Sequence, residues 1–219
     1  MNLRKTKDIA IYGAGGFARE VVCLINIINK ANLQWNFIGF FDDVWEIGHK
    51  NEYGEVIGGI NELNSYPSDI AIIVAFGNPK KNSETVRKIT NTKVTFPNII
   101  ALDTIFLDRD SVSLGKGNIF ATGCLISCNV NIGDFNIFNG FITIGHDVQI
   151  GNFNSIMPAV RISGSVSIGE QNFLGVSSVI LQQIKMGNNT TIGAGSVVIR
   201  KTKDGNTYIG NPAKIINFN

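Results

Sequence analysis

Of the two histidines in this chain, His49 and His146, the second is followed directly by an acid, Asp147, within Thr143-Ile-Gly-His-Asp-Val-Gln-Ile-Gly151. A carboxylate beside an imidazole favours the charged ring and strengthens it as a base. The matching chemistry is removal of a proton from an attacking amine or hydroxyl. Alone, the dipeptide leaves open an exposed histidine without a role. His49, among Gly48, Lys50 and Asn51, reads as a solvated loop residue. A second constellation lies near the start of the chain, at Gly13-x-Gly15-x-x-Ala18 between an apolar run and a helix-like stretch. Glycines there let backbone approach a ligand, and the helix N-terminus offers N–H groups to a phosphate. Asp42-Asp43 and Gly77-Asn78 each close a later apolar run, so all three groups fall on one edge of a sheet. A plain strand-to-helix turn remains the alternative, but the combination favours a nucleotide pocket of Gly15, Gly16, Phe17, Asp42, Asp43 and Gly77. Cys23, Cys124 and Cys128 form no metal-spaced cluster, so no metal and no disulfide are expected.

Two kinds of chain must position these groups. Residues 1–97 alternate short strands with helices: strands at Ile9–Tyr12, Phe37–Phe41, Ile70–Phe76 and Val94–Phe96, a helix through Ile28, and a helix over Glu84–Thr90 starting near Asn82-Ser83. This is a small Rossmann-like parallel sheet, too short for a whole dinucleotide site. Residues 98–219 are different. From Leu114 to Val198 every sixth residue is large and apolar. Neither a helix nor a flat sheet requires that period, whereas a β-solenoid with six residues per face does. Glycine recurs every eighteen residues at Gly115, Gly133, Gly151, Gly169 and Gly187, read here as turn residues. Asn118, Asn136, Asn154 and Asn172 repeat at the same interval, with Thr190 continuing the column, and imply an amide ladder. Eighteen is three sixes, so a coil has three faces. The pattern predicts coils from about residue 110 to about 203, Pro97 to about Leu107 as a connector, and an end of register at Asp204. Gly164, eighteen residues after His146, then stacks one coil above it at about 4.8 Å. Ile142, Val160 and Val179 read as outward apolar residues.

The chain carries a formal charge of +2 with its basic residues scattered, which points to neither nucleic acid nor a membrane surface. No signal peptide or long apolar run is read, and a cytoplasmic protein is expected.

The repeat resembles the hexapeptide-repeat acyltransferases, whose fold is a left-handed parallel β-helix. More narrowly, the order of motifs resembles bacterial sugar acyltransferases of the sialic-acid O-acetyltransferase and bacillosamine-pathway N-acetyltransferase type. The residues carrying this are Tyr12–Glu20, Phe41–Asp43, Gly77-Asn78, Ile144–Asp147, Ile162–Gly164, Phe173–Val176, Ile192–Gly195 and Ile209–Lys214. The resemblance implies an acetyl-CoA-dependent N-acetyltransferase acting on a nucleotide-linked amino sugar, a 4-amino-4,6-dideoxyhexose, for surface-glycan (lipopolysaccharide or O-antigen) synthesis. An O-acetyltransferase of the sialic-acid type is the alternative, and a non-enzymatic solenoid scaffold is the alternative of another class. UDP and dTDP are not distinguished. The resemblance also implies His146 as general base, Asp147 as the group tuning it, and the Gly164 N–H on the thioester oxygen. It places Ser155, Gly164, Val176 and Ala194 at acetyl-CoA, the Ser155 contact weaker than or different from a histidine's, in a homotrimer with CoA between neighbouring helices. Two positions depart from the pattern: Ser155 and Phe17 stand where the family often has histidine.

Overall fold

The structure is a computed structural model describing residues 6–216. By its contacts the chain divides into two units, one through Gly77 and over Lys81–Ile99, the other comprising Asn78–Lys80 and the chain from Ile100 onward.

In the first unit the elements run β1 (Lys7–Tyr12), α1 (Gly16–Ala31), β2 (Trp35–Phe41), β3 (Lys50–Asn51), β4 (Gly54–Gly58), α2 (Ile60–Asn64), β5 (Ile70–Val74), α3 (Pro79–Lys88) and β6 (Val94–Thr95). The sheet order is β3-β4-β2-β1-β5-β6, parallel except for the β3–β4 pair. The apolar run of β5 is buried along its whole length, as expected of a parallel strand covered on both faces. The chain builds outward from β1 through β2, then crosses back so that β5 lies on β1's other side. The loops after β1 and β5 therefore diverge, which opens a crevice at the carboxyl ends of the strands. The hairpin β3–β4 and the short α2 carry no strong period and were not anticipated. Nor was the start of α3. It begins at Pro79, whose ring presets the first helical φ, so Asn82 lies inside the helix rather than capping it. The Asn82 amide instead spans the loop after β5, donating to Phe76 O and accepting from Phe76 N–H.

The second unit is a left-handed parallel β-helix of two-residue strands in three stacked sheets. Successive coils pair eighteen residues apart: Ile137↔Ser155 on the first face, Thr143↔Arg161 on the second, Gln149↔Ser167 on the third. Ile126, Ile144, Ile162 and Ile180 form one buried column, and the rings of Phe120 and Phe138 stack at 4.3 Å. The asparagine ladder is continuous: Asn136, Asn154 and Asn172 each donate Nδ2 and backbone N–H to the Oδ1 of the coil before, and Thr190 N–H ends the run on Asn172.

Three expectations are corrected here. First, each face buries two side chains. Ile142 and Val160 are fully buried in the core, two residues before Ile144 and Ile162, because inward positions alternate along the strand. Only Val179 of the three faces outward. Second, the glycines at 115, 133, 151, 169 and 187 are not the turn residues. A Cβ at Gly133 would lie 2.3 Å from Asn152 Oδ1 and 2.9 Å from Gly151 O, so close approach of the next coil excludes it. The left-handed turn conformation falls two residues later and is taken by residues such as Phe135 (φ 55°), Phe141 and Asp147. Third, the coils extend past both predicted ends. Ile99–Ile100 joins the first face, and Ile105–Phe106 pairs with Leu125–Ile126 at a spacing of twenty. Thr207–Ile209 pairs with Thr191-Ile192 at a spacing of sixteen. Insertions and deletions of two residues hide these coils from a strict period. Asp204 bridges the shortened coil by accepting from Asn188 N–H and Nδ2.

Candidate functional site

His146 lies two residues after the inward Ile144, at the corner between the second and third faces. The chain bends at this corner beyond the strand, so the ring leaves the coil outward, with the side chain 61% exposed. Asp147 follows in the left-handed conformation (φ 58°), which swings its carboxylate back beside the ring. His146 Nδ1 lies 2.7 Å from Asp147 Oδ2. Asp147 Oδ1 accepts from Asn129 Nδ2 at 3.2 Å. The hydrogen bonds from His146 and then Asn129 hold the Asp147 carboxyl below its usual value. With Nδ1 engaged by an ionised acid, Nε2 is the nitrogen left to take a proton.

Nε2 lies over Gly164. A Cβ there would fall 2.6 Å from Nε2 and 2.7 Å from Cε1, so only glycine leaves room for the ring in this position. Gly164 O accepts from Gln183 N–H, while the Gly164 N–H meets no acceptor among the described residues. A proton acceptor and an unused backbone donor thus sit one coil apart, as the eighteen-residue interval implied. This is the pairing that acyl transfer to a nucleophile needs.

Val176 and Ala194 are also one coil apart and exposed, and Gly195 N–H bonds Val176 O at 2.8 Å. They occupy a different corner, between the first and second faces, so the second face separates them from His146. Ser155 is placed with neither group. It is buried on the first face, and its Oγ makes no hydrogen bond.

In the first unit, Gly15, Gly16, Phe17, Asp42 and Gly77 line one cavity of about 320 Å³ with Val44, Trp45, Ala75, Phe76 and Lys81. No side chain caps α1 and its first turn carries no acid, so its N–H groups and positive end are available to an anion. Lys81 Nζ sits 3.8 Å from the centre of the Phe76 ring and adds a cation to the wall. Trp45 stacks on His49 at 4.2 Å, so His49 is exposed but not idle. Trp45 and Lys81 escaped sequence reasoning because they belong to no glycine or acidic motif. A tryptophan two residues after the strand-ending acidic pair was the available signal.

The two acids behave differently. Asp42 lines the cavity, yet its oxygens already accept from Ala14 N–H and Val44 N–H at 2.8 Å, fixing the glycine loop against β2. Asp43 does not line the cavity; it accepts from Tyr12 Oη and from Ile60 N–H at the start of α2. Burial, and then this carboxylate, push the Tyr12 hydroxyl well above its ordinary pKa. Among the described residues no group of His, Cys, Asp and Glu side chains could hold a metal ion, and no helix is long and apolar enough to cross a membrane.

Residues 8–89 match the family model of the PglD N-terminal domain. Solved structures are similar over nearly the whole chain. PerB from Caulobacter crescentus, in complex with CoA and GDP-perosamine, is 28% identical over 96% of this chain and 97% of its own, with a TM-score of 0.85. The acetyltransferase domain of PglB from Neisseria gonorrhoeae is 27% identical over 96% of this chain and 100% of its own, with a TM-score of 0.85. WeeI from Acinetobacter baumannii is 26% identical over the same shares, with a TM-score of 0.86. No curated protein sequence matches significantly. A PglD-type N-terminal domain, hexapeptide coils and full-length likeness to these structures together give an N-acetyltransferase that is similar to the hexapeptide-repeat enzymes of the nucleotide-amino-sugar type.

Proposed function

We propose that the protein transfers the acetyl group of acetyl-CoA to the amine of a nucleotide-linked 4-amino-4,6-dideoxyhexose, for a bacterial surface glycan. The observation carrying this reading is His146 Nε2 held over Gly164 with Nδ1 on Asp147. The amine nitrogen attacks the thioester carbonyl and gives its proton to Nε2. The developing oxyanion is met by the Gly164 N–H, and the intermediate collapses to amide and CoA thiolate, which recovers the proton from the imidazolium. Positioned proton transfer supplies roughly 10²–10⁴ in rate, and one oxyanion donor about 10²–10³. A thioester is already activated, so no covalent enzyme intermediate is required.

The first unit holds the nucleotide diphosphate. Its phosphates meet the Gly15-Gly16 helix start and Lys81, and Trp45 offers a stacking surface to the base. Asp42 shapes this loop. Asp43 supports it from behind rather than touching ligand. PerB and WeeI cover this chain almost entirely, and PerB holds CoA with GDP-perosamine, which favours a nucleotide-linked acceptor over free sialic acid.

The acting unit is a homotrimer in the cytoplasm, where acetyl-CoA is available. Its interface is the second face, whose outward positions Ile105, Val179 and Val197 are bordered by exposed Leu107, Leu181 and Ile199. Packing this face against a neighbour covers the apolar surface between the Val176/Ala194 corner and the His146 corner. The test is a panel of GDP-, UDP- and dTDP-linked amino sugars with acetyl-CoA, following thiol release and the hydroxylamine stability of the product. A stable amide with one of them is expected. A labile ester, or no turnover with any amino sugar, would refute the assignment. Sedimentation at three times the chain mass checks the trimer.

A further inference from the structure

Asp147 is held from two sides, and only one of them belongs to the dyad. Its Oδ2 faces His146 Nδ1 at 2.7 Å, and its Oδ1 receives Asn129 Nδ2 at 3.2 Å. Asn129 lies eighteen residues earlier, at the same corner of the preceding coil. Both residues are in the left-handed conformation, at φ 56° and 58°, so their side chains leave the corner in the same direction and stack. Asparagine is one of the few residues that adopts this conformation readily and also carries an N–H donor. Asn129 is itself anchored. Its backbone N–H donates to Ser111 Oγ at 2.9 Å, and Ser111 Oγ donates to Asp108 O at 3.1 Å. A brace therefore runs over three coils, from Ser111 through Asn129 and Asp147 to the imidazole.

The brace matters because the dyad stands on an open corner. The side chains of His146 and Asp147 are 61% and 52% exposed. An exposed carboxylate with one partner rotates freely and meets water at both oxygens. A second donor on the far oxygen selects the rotamer in which the near oxygen meets Nδ1, and so fixes which ring nitrogen is left as acceptor. We propose that Asn129 is a positioning residue for acyl transfer: its side-chain amide holds Asp147 in the orientation that aims His146 Nε2 at Gly164. This rests on His146 being the base. The other titratable side chains of this corner column are Asp110, two coils before His146, Cys128, one coil before, and Arg200 and Lys201, three coils after. Among the described residues Asn129 alone donates to the Asp147 carboxylate from a neighbouring coil, while Cys128 O accepts from the Asp147 backbone N–H.

The decisive variant is Asn129→Asp. It keeps the shape and tolerates the left-handed backbone, but replaces the donor with a second carboxylate against Asp147. Asn129→Gly keeps the backbone conformation and simply deletes the amide. Two readouts are taken on the full-length protein: steady-state kinetics for both substrates, and the titration of the Asp147 carboxyl by ¹³C NMR, assigned with Asp147→Asn. Asn129→Asp should lower kcat about tenfold with both KM values nearly unchanged, and Asn129→Gly about threefold, the pattern of lost aim rather than lost binding. In the parent the Asp147 carboxyl titrates below the ordinary range. In Asn129→Asp it should move upward, because adjacent carboxylates share a proton, and the acid limb of the activity profile should move with it. Retained kcat in Asn129→Asp, alongside a large loss in His146→Ala, would overturn the positioning role and leave the base intact. Full activity in His146→Ala would remove the base assignment instead. An Asp147 titration unmoved by Asn129→Asp would show that the amide does not hold the carboxylate at all.

Discussion

Replacing Gly164 by alanine separates the aim of the catalytic ring from the integrity of the fold. The added methyl would lie 2.6 Å from His146 Nε2, 2.7 Å from Cε1 and 3.1 Å from Cδ2. Ordinary contact needs about 3.6 Å, so the ring must retreat by about 1 Å. It can do so, because it is the exposed end of a side chain, and the backbone of Gly164 is not in the left-handed region. The Gly164 N–H is untouched. A displacement of about 1 Å in a reacting group costs on the order of 100-fold, or about 2.7 kcal/mol in the barrier. Gly164→Ala should therefore lose about two orders of magnitude in kcat, read by thiol release at saturating substrates, while its melting temperature stays within a few degrees of the parent. Gly145→Ala is the matched contrast. Its methyl would meet Gly164 N at 2.7 Å and Ser163 C at 2.8 Å, which are backbone atoms that cannot swing away. That variant should be destabilised by roughly 1–3 kcal/mol. If Gly164→Ala kept more than a tenth of the parent turnover, the ring over Gly164 would not be the base. If it melted as early as Gly145→Ala, the contact would be structural and the reasoning mistaken.

Two further outcomes follow from the core. Asn136→Leu should lower the urea midpoint by the equivalent of about 2–4 kcal/mol without changing the m-value, since it takes the acceptor from the buried Asn154 N–H and removes one of the two donors on Asn118 Oδ1. Burial pushes the Cys124 thiol up to about 11 from 9.0. The unfolded chain releases this proton first, so stability is full below pH 9 and falls as pH rises toward 11. The urea midpoint should fall further between pH 8 and pH 11 in the parent than in Cys124→Ala, and an equal alkaline loss in both would contradict this.

The amino-acid sequence by itself determined the solenoid, because a six-residue period with eighteen-residue glycine and asparagine repeats admits three faces per coil and little else. It also determined that His146 and Gly164 are stacked neighbours, since an interval of one full coil returns the chain to the same corner. It placed the glycine loop, Asp42 and Gly77 on one sheet edge, because strand ends in a parallel sheet share an edge. The period says which residues share a direction, but not which direction each column takes. Only the folded chain decided that Ile142 and Val160 point inward, that the recurring glycines yield to a neighbouring coil rather than turn the chain, and that Phe135 and Asp147 do the turning. Coils offset by two residues at either end broke the period and vanished from it. The two adjacent acids look equivalent as letters. Their roles parted in three dimensions, because successive residues after a strand point to opposite sides: Asp42 closes the loop at the cavity, and Asp43 takes Tyr12 and the start of α2 behind it. The partner of Asp147 across the coils, Asn129, was likewise invisible until stacking brought two left-handed corners together.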